Sequence, residues 1–320
     1  MILERNPFPM EKNNKQFRTS IGGQALIEGI LMRGPEKQAI VVRSPEGLVT
    51  KVEELTLIKD KYPILGWPII RGAVTFLDSM VRGVKALMFS ADYYPEDENV
   101  QPSKLDKWLE EHVPAEKLQS VLVWVSVILS LGLTLLLFML LPTFIAGLFP
   151  ARHAAVHNLI EGAVKIAIFL GYLILCSRQK DVRRVFCYHG AEHKTIFCYE
   201  RGLELTVENV RKQIRFHPRC GTSFIFLVVL LSIIIGMFLP WKNLWARFGL
   251  QLLMLIPETS IGYELIKLAG RYDNIFTRII SAPGIWLQHI TTCEPDDPQI
   301  EVAIAALKPC IPENKEDDKW

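Results

Sequence analysis

The stretch VLVWVSVILSLGLTLLLFMLL, Val121–Leu141, sits inside a longer run, Leu118–Ala151, that carries no charged side chain. A helix needs about 20 apolar residues to cross roughly 30 Å of hydrocarbon, so the sequence predicts a transmembrane helix over 120–141. A second uncharged run, Cys220–Trp241, has Phe224–Leu239 as its core and predicts a span over 222–240. Two less uniform segments flank it. Ala154–Cys176 is apolar apart from His157, Glu161 and Lys165; Trp245–Ala269 is apolar apart from Arg247, Glu258, Glu264 and Lys267. A charge at the centre of a span costs about 2.5–3.5 kcal/mol, so these residues are expected near helix ends, facing protein, or paired. Glu161 and Lys165 stand i,i+4 and can pair, and Pro257 is expected to break the last helix. The expected fold class is a polytopic α-helical membrane protein of about four spans (120–141, 154–176, 222–240, 245–269), with a small N-terminal β unit and a cytosolic helical loop.

Basic residues orient such spans. The 177–221 loop holds ten Lys and Arg residues, from Arg178 to Arg219, whereas 142–153 holds Arg152 and 240–247 holds Lys242 and Arg247. The long loop is therefore expected to be cytoplasmic, and with four spans both termini as well. The first residues, MILERNPFPM, contain no apolar stretch of the signal-peptide kind. The six cysteines form no C-x-x-C pair, which suits free thiols in a reducing compartment.

Composition narrows the functional classes. The 36 Lys+Arg and 34 Asp+Glu leave a net charge of +2, too balanced for a dedicated nucleic-acid binder. A mean hydropathy of +0.21 is high for a soluble enzyme, and with 22% charged residues wholesale disorder is excluded. Residues 1–18 are expected to be disordered. Within 19–62, Gln38–Arg43 and Leu48–Val52 read as strands joined by Ser44-Pro45-Glu46-Gly47, preceded by the apolar stretch QALIEGILMR. In 63–94, Arg71, Thr75, Asp78, Arg82 and Lys85 share one helical face, and Ile70, Val74, Leu77, Val81, Val84 and Met88 the other. That helix is expected either to cover the sheet or to lie on the membrane. Residues 95–117 read as a polar linker with one short helix, 270–311 as a C-terminal cytosolic segment and 312–320 as a disordered charged tail. Thr206 is expected to cap a helix, as is Asp297 with Pro298 in the first turn.

The strongest chemical pattern is His189-Gly190-Ala191-Glu192-His193. On a helix the two imidazoles fall on one face and can grip one metal ion, with Glu192 as general base in the inverted-zincin manner. The bland alternative is a solvated polar helix. Two histidines leave a zinc site short of a third ligand. His217, Cys220 and Glu264 are expected near the same surface, Glu28 could reach it, and Glu200 and Glu204 read as solvated charges. His153, His157 and Glu161 form a rival face, more simply read as a helix end with an internal pair.

These residues resemble the YqhQ-like family of bacterial multi-pass membrane proteins, whose function is unknown and whose members are described as predicted metal-dependent enzymes. The resemblance runs through GGQALIEGILMRGP (Gly22–Pro35), YHGAEHKTIFCYE (Tyr188–Glu200), LTVENVRKQIRFHPRCGTSF, GYELIKLAGR (Gly262–Arg271) and PGIWLQHITTCEPDDPQIEVAIAAL (Pro283–Leu307). It implies a motif surface facing the cytosol of a bacterial plasma membrane. Its matching positions are Glu28, Arg33, His189, Glu192, His193, Lys194, His217, Arg219, Cys220, Tyr263 and Glu264.

The expected function is a membrane-integral metalloprotein, a hydrolase acting on a membrane-protein segment or a lipid-linked molecule. His189 and His193 would hold Zn²⁺ or a similar divalent ion, Glu264 or His217 would complete the site, and Glu192 would activate water. Lys194 and Arg219 would stabilise an oxyanion or bind phosphate. The alternative is a non-enzymatic factor for membrane-protein insertion or assembly, with the same cluster as a structural polar network. A transporter using Glu161, Glu258 and Glu264 ranks third. The expected partners are the bilayer and other membrane proteins, with no nucleic acid.

Overall fold

The computed structural model describes residues 17–56, 62–68, 70–94, 115–149, 154–240, 243–272 and 274–318. The expectations for 1–16, for the linker segment 95–114 and for His153 lie outside them. The chain is mostly helical with one small antiparallel sheet. Its strands are β1 (Gly22–Leu26), β2 (Gly29–Arg33), β3 (Lys37–Ser44) and β4 (Gly47–Glu54), paired in the order β1-β2-β3-β4. The helices are α1 (Arg71–Ala91), α2 (Ala115–Leu135), α3 (Leu141–Gly147), α4 (Ala154–Ser177), α5 (Lys180–Glu200), α6 (Val207–Arg211), α7 (Gly221–Gly236), α8 (Leu244–Arg271), α9 (Ile275–Thr291) and α10 (Asp297–Leu307). The described parts of 1–94, 173–231 and 256–320 form one compact unit, and those of 95–172 and 232–255 another.

In the first unit QALIEGILMR is a hairpin of two strands, with Ala25 opposite Ile30. Glu28 turns the chain at a left-handed φ of 49°, and Gly29 follows it because a Cβ there would meet the Val41 carbonyl oxygen. The sheet is covered on both faces, which is why β2 and β3 are apolar without a break. Ile30, Met32, Ala39 and Val41 pack with Tyr188, Ala191 and Ile196 of α5 and Ile300 and Ala303 of α10. On the other side Leu26, Leu31, Ile40 and Val42 pack with Ala86 and Phe89 of α1 and with Tyr93.

Helix α1 covers the sheet, but not with the face its hydrophobic pattern suggests. Gly72, Gly83, Ala86 and Ser90 are its buried residues, whereas Leu77, Met80 and Val81 are exposed. Close approach decides this: a Cβ on Gly83 would strike the Gln24 side chain, and one on Gly72 would meet Ser260 and Tyr263. Other sequence expectations shift as well. Asp296, not Asp297, caps α10, in a capping box with Gln299; Thr206 caps α6 as expected. Helix α8 runs through Pro257 unbroken. The charged tail includes a turn over Lys315–Asp318, where the buried Asp318 accepts from Thr19 Oγ1 (2.6 Å) and Tyr199 Oη (2.8 Å).

The second unit is apolar with one buried polar cluster. Helix α2 passes through a π turn, Leu136–Leu140, into α3. Residues Trp124–Gly147 and Val156–Ser177 are each long and apolar enough to cross a bilayer; Gly221–Gly236 is apolar but shorter. Glu161 is met by Arg247 (3.1 Å) and Thr143 (3.1 Å), and also by Gln251. Arg247 further donates to Asn158 Oδ1 and to the Gly236 and Leu239 carbonyls, closing the C-terminal end of α7. Lys165, expected to pair with Glu161, donates to Ser232 at 3.3 Å.

Candidate metal centre

Helix α5 can bring His189 against the chain that follows α9 because Gly190 beside it has no side chain. A Cβ on Gly190 would collide with the Cys293 carbonyl oxygen, so glycine lets the chain after α9 lie directly on α5. The two rings stand edge to face with centroids 4.4 Å apart. Cys220 arrives from the residue just before α7. One ligand atom from each of His189, His193 and Cys220 lies within 4.8 Å of the others.

The polar contacts fix which nitrogens face inward. His189 Nδ1 donates to the Thr291 carbonyl at 2.9 Å, and its Nε2 lies 3.0 Å from Cys220 Sγ. His193 Nδ1 donates to the Arg215 carbonyl at 2.5 Å. Backbone carbonyls behind both rings are the second layer that holds metal-binding imidazoles in one tautomer. His193 Nε2 is then a buried atom without a hydrogen-bond partner among the described residues. Such an atom costs about 1–3 kcal/mol unless something binds it. A divalent cation fits this donor set: two imidazoles whose Nδ1 atoms are held by carbonyls and whose Nε2 atoms face one thiol, with His189 Nε2 sharing a proton with that thiol until a metal displaces it.

Glu192 lies beside the pair. Its Oε1 accepts from the Gly23 backbone N–H at 3.0 Å, and its Oε2 is buried without a partner among the described residues. A Cβ on Gly23 would touch Leu31, Met32 and the Glu192 carboxyl, so strand β1 needs glycine there to reach the acid. Burial raises the Glu192 carboxyl, against the pull of His189 and His193. Burial also opposes the His189 cation, but the charges of Cys220 and Glu192 outweigh it and raise His189 to about 10. Burial would raise the Cys220 thiol, yet the two imidazoles bring it well below its ordinary value. The two shifts run in opposite directions, His189 toward the cation and Cys220 toward the thiolate, and the thiolate is the form that ligates.

Comparison with known proteins places the chain. Residues 67–313 match the family described as "Protein of unknown function (DUF1385)". The chain belongs to the DUF1385 family. It is also 35% identical, over 297 residues, to the "Uncharacterized protein YqhQ" of Bacillus subtilis (strain 168), covering 89% of this chain and 90% of that protein. No solved structure matches it.

In this DUF1385 chain the other residues singled out by sequence have different surroundings. His217 stacks near His193, with centroids 5.4 Å apart, but its Nδ1 accepts from the Arg219 N–H and its Nε2 faces Arg219 and Glu200. Burial, followed by the Arg219 charge, holds it well below the ordinary imidazole value. Glu264 is held by Arg71 in a two-pronged ion pair at 2.5 Å, not beside the histidines. Lys194 pairs with Glu294 at 2.5 Å and donates to the Arg211 carbonyl. Arg219 pairs with Glu200, which is buried rather than solvated, and donates to Thr19 O at 2.7 Å. Glu28 sits at the hairpin turn, bound by Arg184 and, at 3.0 Å, by the Tyr188 hydroxyl. Arg33 pairs with Asp78.

Gln288 went unnoticed in the sequence. It accepts from the His217 N–H and donates to the His217 carbonyl, both at 2.7 Å. Its only signal is an amide amid the apolar residues of α9. The Thr291 and Arg215 carbonyls leave no signal in a sequence.

Proposed function

We propose that this protein is a multi-pass membrane metalloprotein and a metal-dependent hydrolase, with His189, His193 and Cys220 holding one divalent cation near the cytosolic face. The observation that carries this reading is the unpartnered, buried His193 Nε2 in ligand range of His189 Nε2 and Cys220 Sγ. Imidazole and thiolate together suit zinc, and three protein ligands with a fourth position free is the catalytic rather than the structural pattern. Cys220 takes the third-ligand role that sequence gave to Glu264 or His217. A divalent ion there supplies Lewis acidity. Glu192 takes a proton from water at its free Oε2 while the Gly23 N–H keeps the carboxyl from swinging away. Lys194 and Arg219 act as positioning residues through Glu294 and Glu200.

The membrane part of the proposal rests on hydropathy and exposure. The Trp124–Gly147 and Val156–Ser177 helices supply two spans. Helix α7, about 24 Å long at 1.5 Å per residue, is short of the bilayer core and would complete the set with α8 only by including its apolar flank Met237–Leu239. The exposed Leu77, Met80 and Val81 of α1 suit a lipid surface. The substrate is a membrane-protein segment or a lipid-linked molecule.

One observation favours a second reading, a non-enzymatic assembly factor. Thr19, Glu200, Arg219, Tyr199 and Asp318 form a bonded network joining the N-terminal strand region, α5 and the C-terminal turn. The two readings separate in a strain lacking the protein. Under the hydrolase reading Glu192→Gln keeps its metal but fails to restore the strain, and His193→Ala loses both. Full restoration by Glu192→Gln leaves only the assembly factor.

A further inference from the structure

Helix α9 is built inside out. Its buried residues are Thr277, Ser281, Gly284, Leu287, Gln288 and Thr291, four of the six polar. Its outward face carries an apolar stripe, Ile275 75% exposed, Phe276 59%, Ile279 64% and Trp286 55%, with the exposed Arg278 and His289 along one edge. A helix on a water-facing domain turns its apolar stripe inward; this one turns it outward. The polar face is fixed in place, not accidental. Gln288 grips both backbone groups of His217 and donates to Ser223 at 3.1 Å. A Cβ on Gly284 would collide with Ser223, so α9 is pressed against the start of α7 and cannot roll over.

We infer that the outer face of α9 is a lipid contact: the helix lies in the headgroup–acyl boundary of the bilayer, not in the cytosolic segment that sequence suggested. The inversion calls for apolar surroundings, and lipid is the occupant that the residue types along the face fit best. The ends of the stripe agree. Tyr272, just before the helix, and Trp286 are exposed, and these two residue types collect at the membrane interface. Other helices of the same unit also leave apolar side chains exposed, Ile225 of α7 and Ile261 and Leu268 of α8.

This placement also bears on the proposed metal centre. The last residue of α9, Thr291, supplies the carbonyl that holds His189 Nδ1. The helix resting on lipid is thus the helix that sets one ligand ring. The inference rests on the membrane reading above, and the experiment separates the two.

A benzophenone amino acid is placed at Ile279, in the full-length protein in vesicles of phosphatidylethanolamine and phosphatidylglycerol with tritiated acyl chains. The same group at Ile128 of α2 is the span control, and at Glu46, in the β3–β4 turn, the water control. The expected result is acyl-chain adduct at 279 comparable to that at 128 and roughly tenfold above that at 46. The same group at Phe276 repeats the test on a neighbouring position. Adduct at 128 with none at 279 or 276 overturns the inference while leaving the spans intact. Adduct between two copies of the chain at 279 overturns it in favour of a self-contact. Absence of lipid adduct at all positions overturns both the inference and the membrane reading.

Discussion

The two compact units each bury a charged cluster, and the clusters differ in completeness. Around Arg247 and Glu161 every charged group is matched, with Gln251 Oε1 the one atom left without a partner among the described residues: Arg247 donates from Nε, Nη1 and Nη2 to a carboxylate, an amide oxygen and two helix-end carbonyls. Around His189, His193 and Cys220 the outer nitrogens are matched by carbonyls, while His193 Nε2 and Glu192 Oε2 are not. A closed network is what a structural clamp needs. A cluster whose outer shell is fixed and whose inner atoms are open is organised around something it binds.

That contrast can be broken most forcefully at the clamp. Arg247→Met leaves Glu161 buried without its cation and should cost about 3–5 kcal/mol, whereas Arg247→Met with Glu161→Leu should recover most of the loss. Thermal unfolding in detergent measures both, and metal content should change in neither. A double variant as unstable as the single one would mean that the clamp has a role beyond charge balance.

A smaller effect is expected at the metal cluster, from its outer shell. Gly190→Ala pushes against the Cys293 carbonyl, should cost about 1–3 kcal/mol by overpacking, and should weaken metal affinity roughly 10–100-fold by moving the Thr291 carbonyl behind His189. Competition with a chromogenic chelator reads the affinity. A stability loss with unchanged affinity would detach the segment after α9 from the centre.

The finest contrast lies among cysteines outside the ligand set and costs no stability. A hydrogen bond from Cys187, helped by Arg183 against partial burial, holds Cys293 at about 7, so its thiolate is present above that pH and lost below it. Burial pushes Cys198 and Cys310 up to about 11. Iodoacetamide labelling followed by mass spectrometry should show Cys293 modified half-maximally near pH 7 and the other two silent at pH 8. Equal labelling of the three would remove the difference in environment.

How much of this was legible in the sequence depends on range. Local signals read well: the apolar runs behind α2–α3 and α4, the strands around the Pro45–Gly47 turn, the Thr206 cap, and two histidines one turn apart on α5. Choices between distant partners did not. Sequence favoured Glu264 or His217 over Cys220 as third ligand, and Arg71, nearly 200 residues away in sequence, is what engages Glu264. The apolar stripe of α1 pointed to the wrong buried face because glycine and alanine, which carry little hydrophobic signal, win the closest approach. Asp318 looked like a disordered tail charge because its partners, Thr19 and Tyr199, are set by the fold alone.

The most direct test of the central claim is the absorption spectrum of the protein loaded with Co²⁺. A site of two imidazoles and one thiolate should give a thiolate-to-cobalt charge-transfer band in the near ultraviolet, at one ion per chain. The band should vanish in Cys220→Ser, fail to form in His193→Ala, and persist in Cys198→Ser and Glu264→Gln. A wild-type protein that takes up no cobalt, or a band that survives Cys220→Ser, would contradict the metal centre.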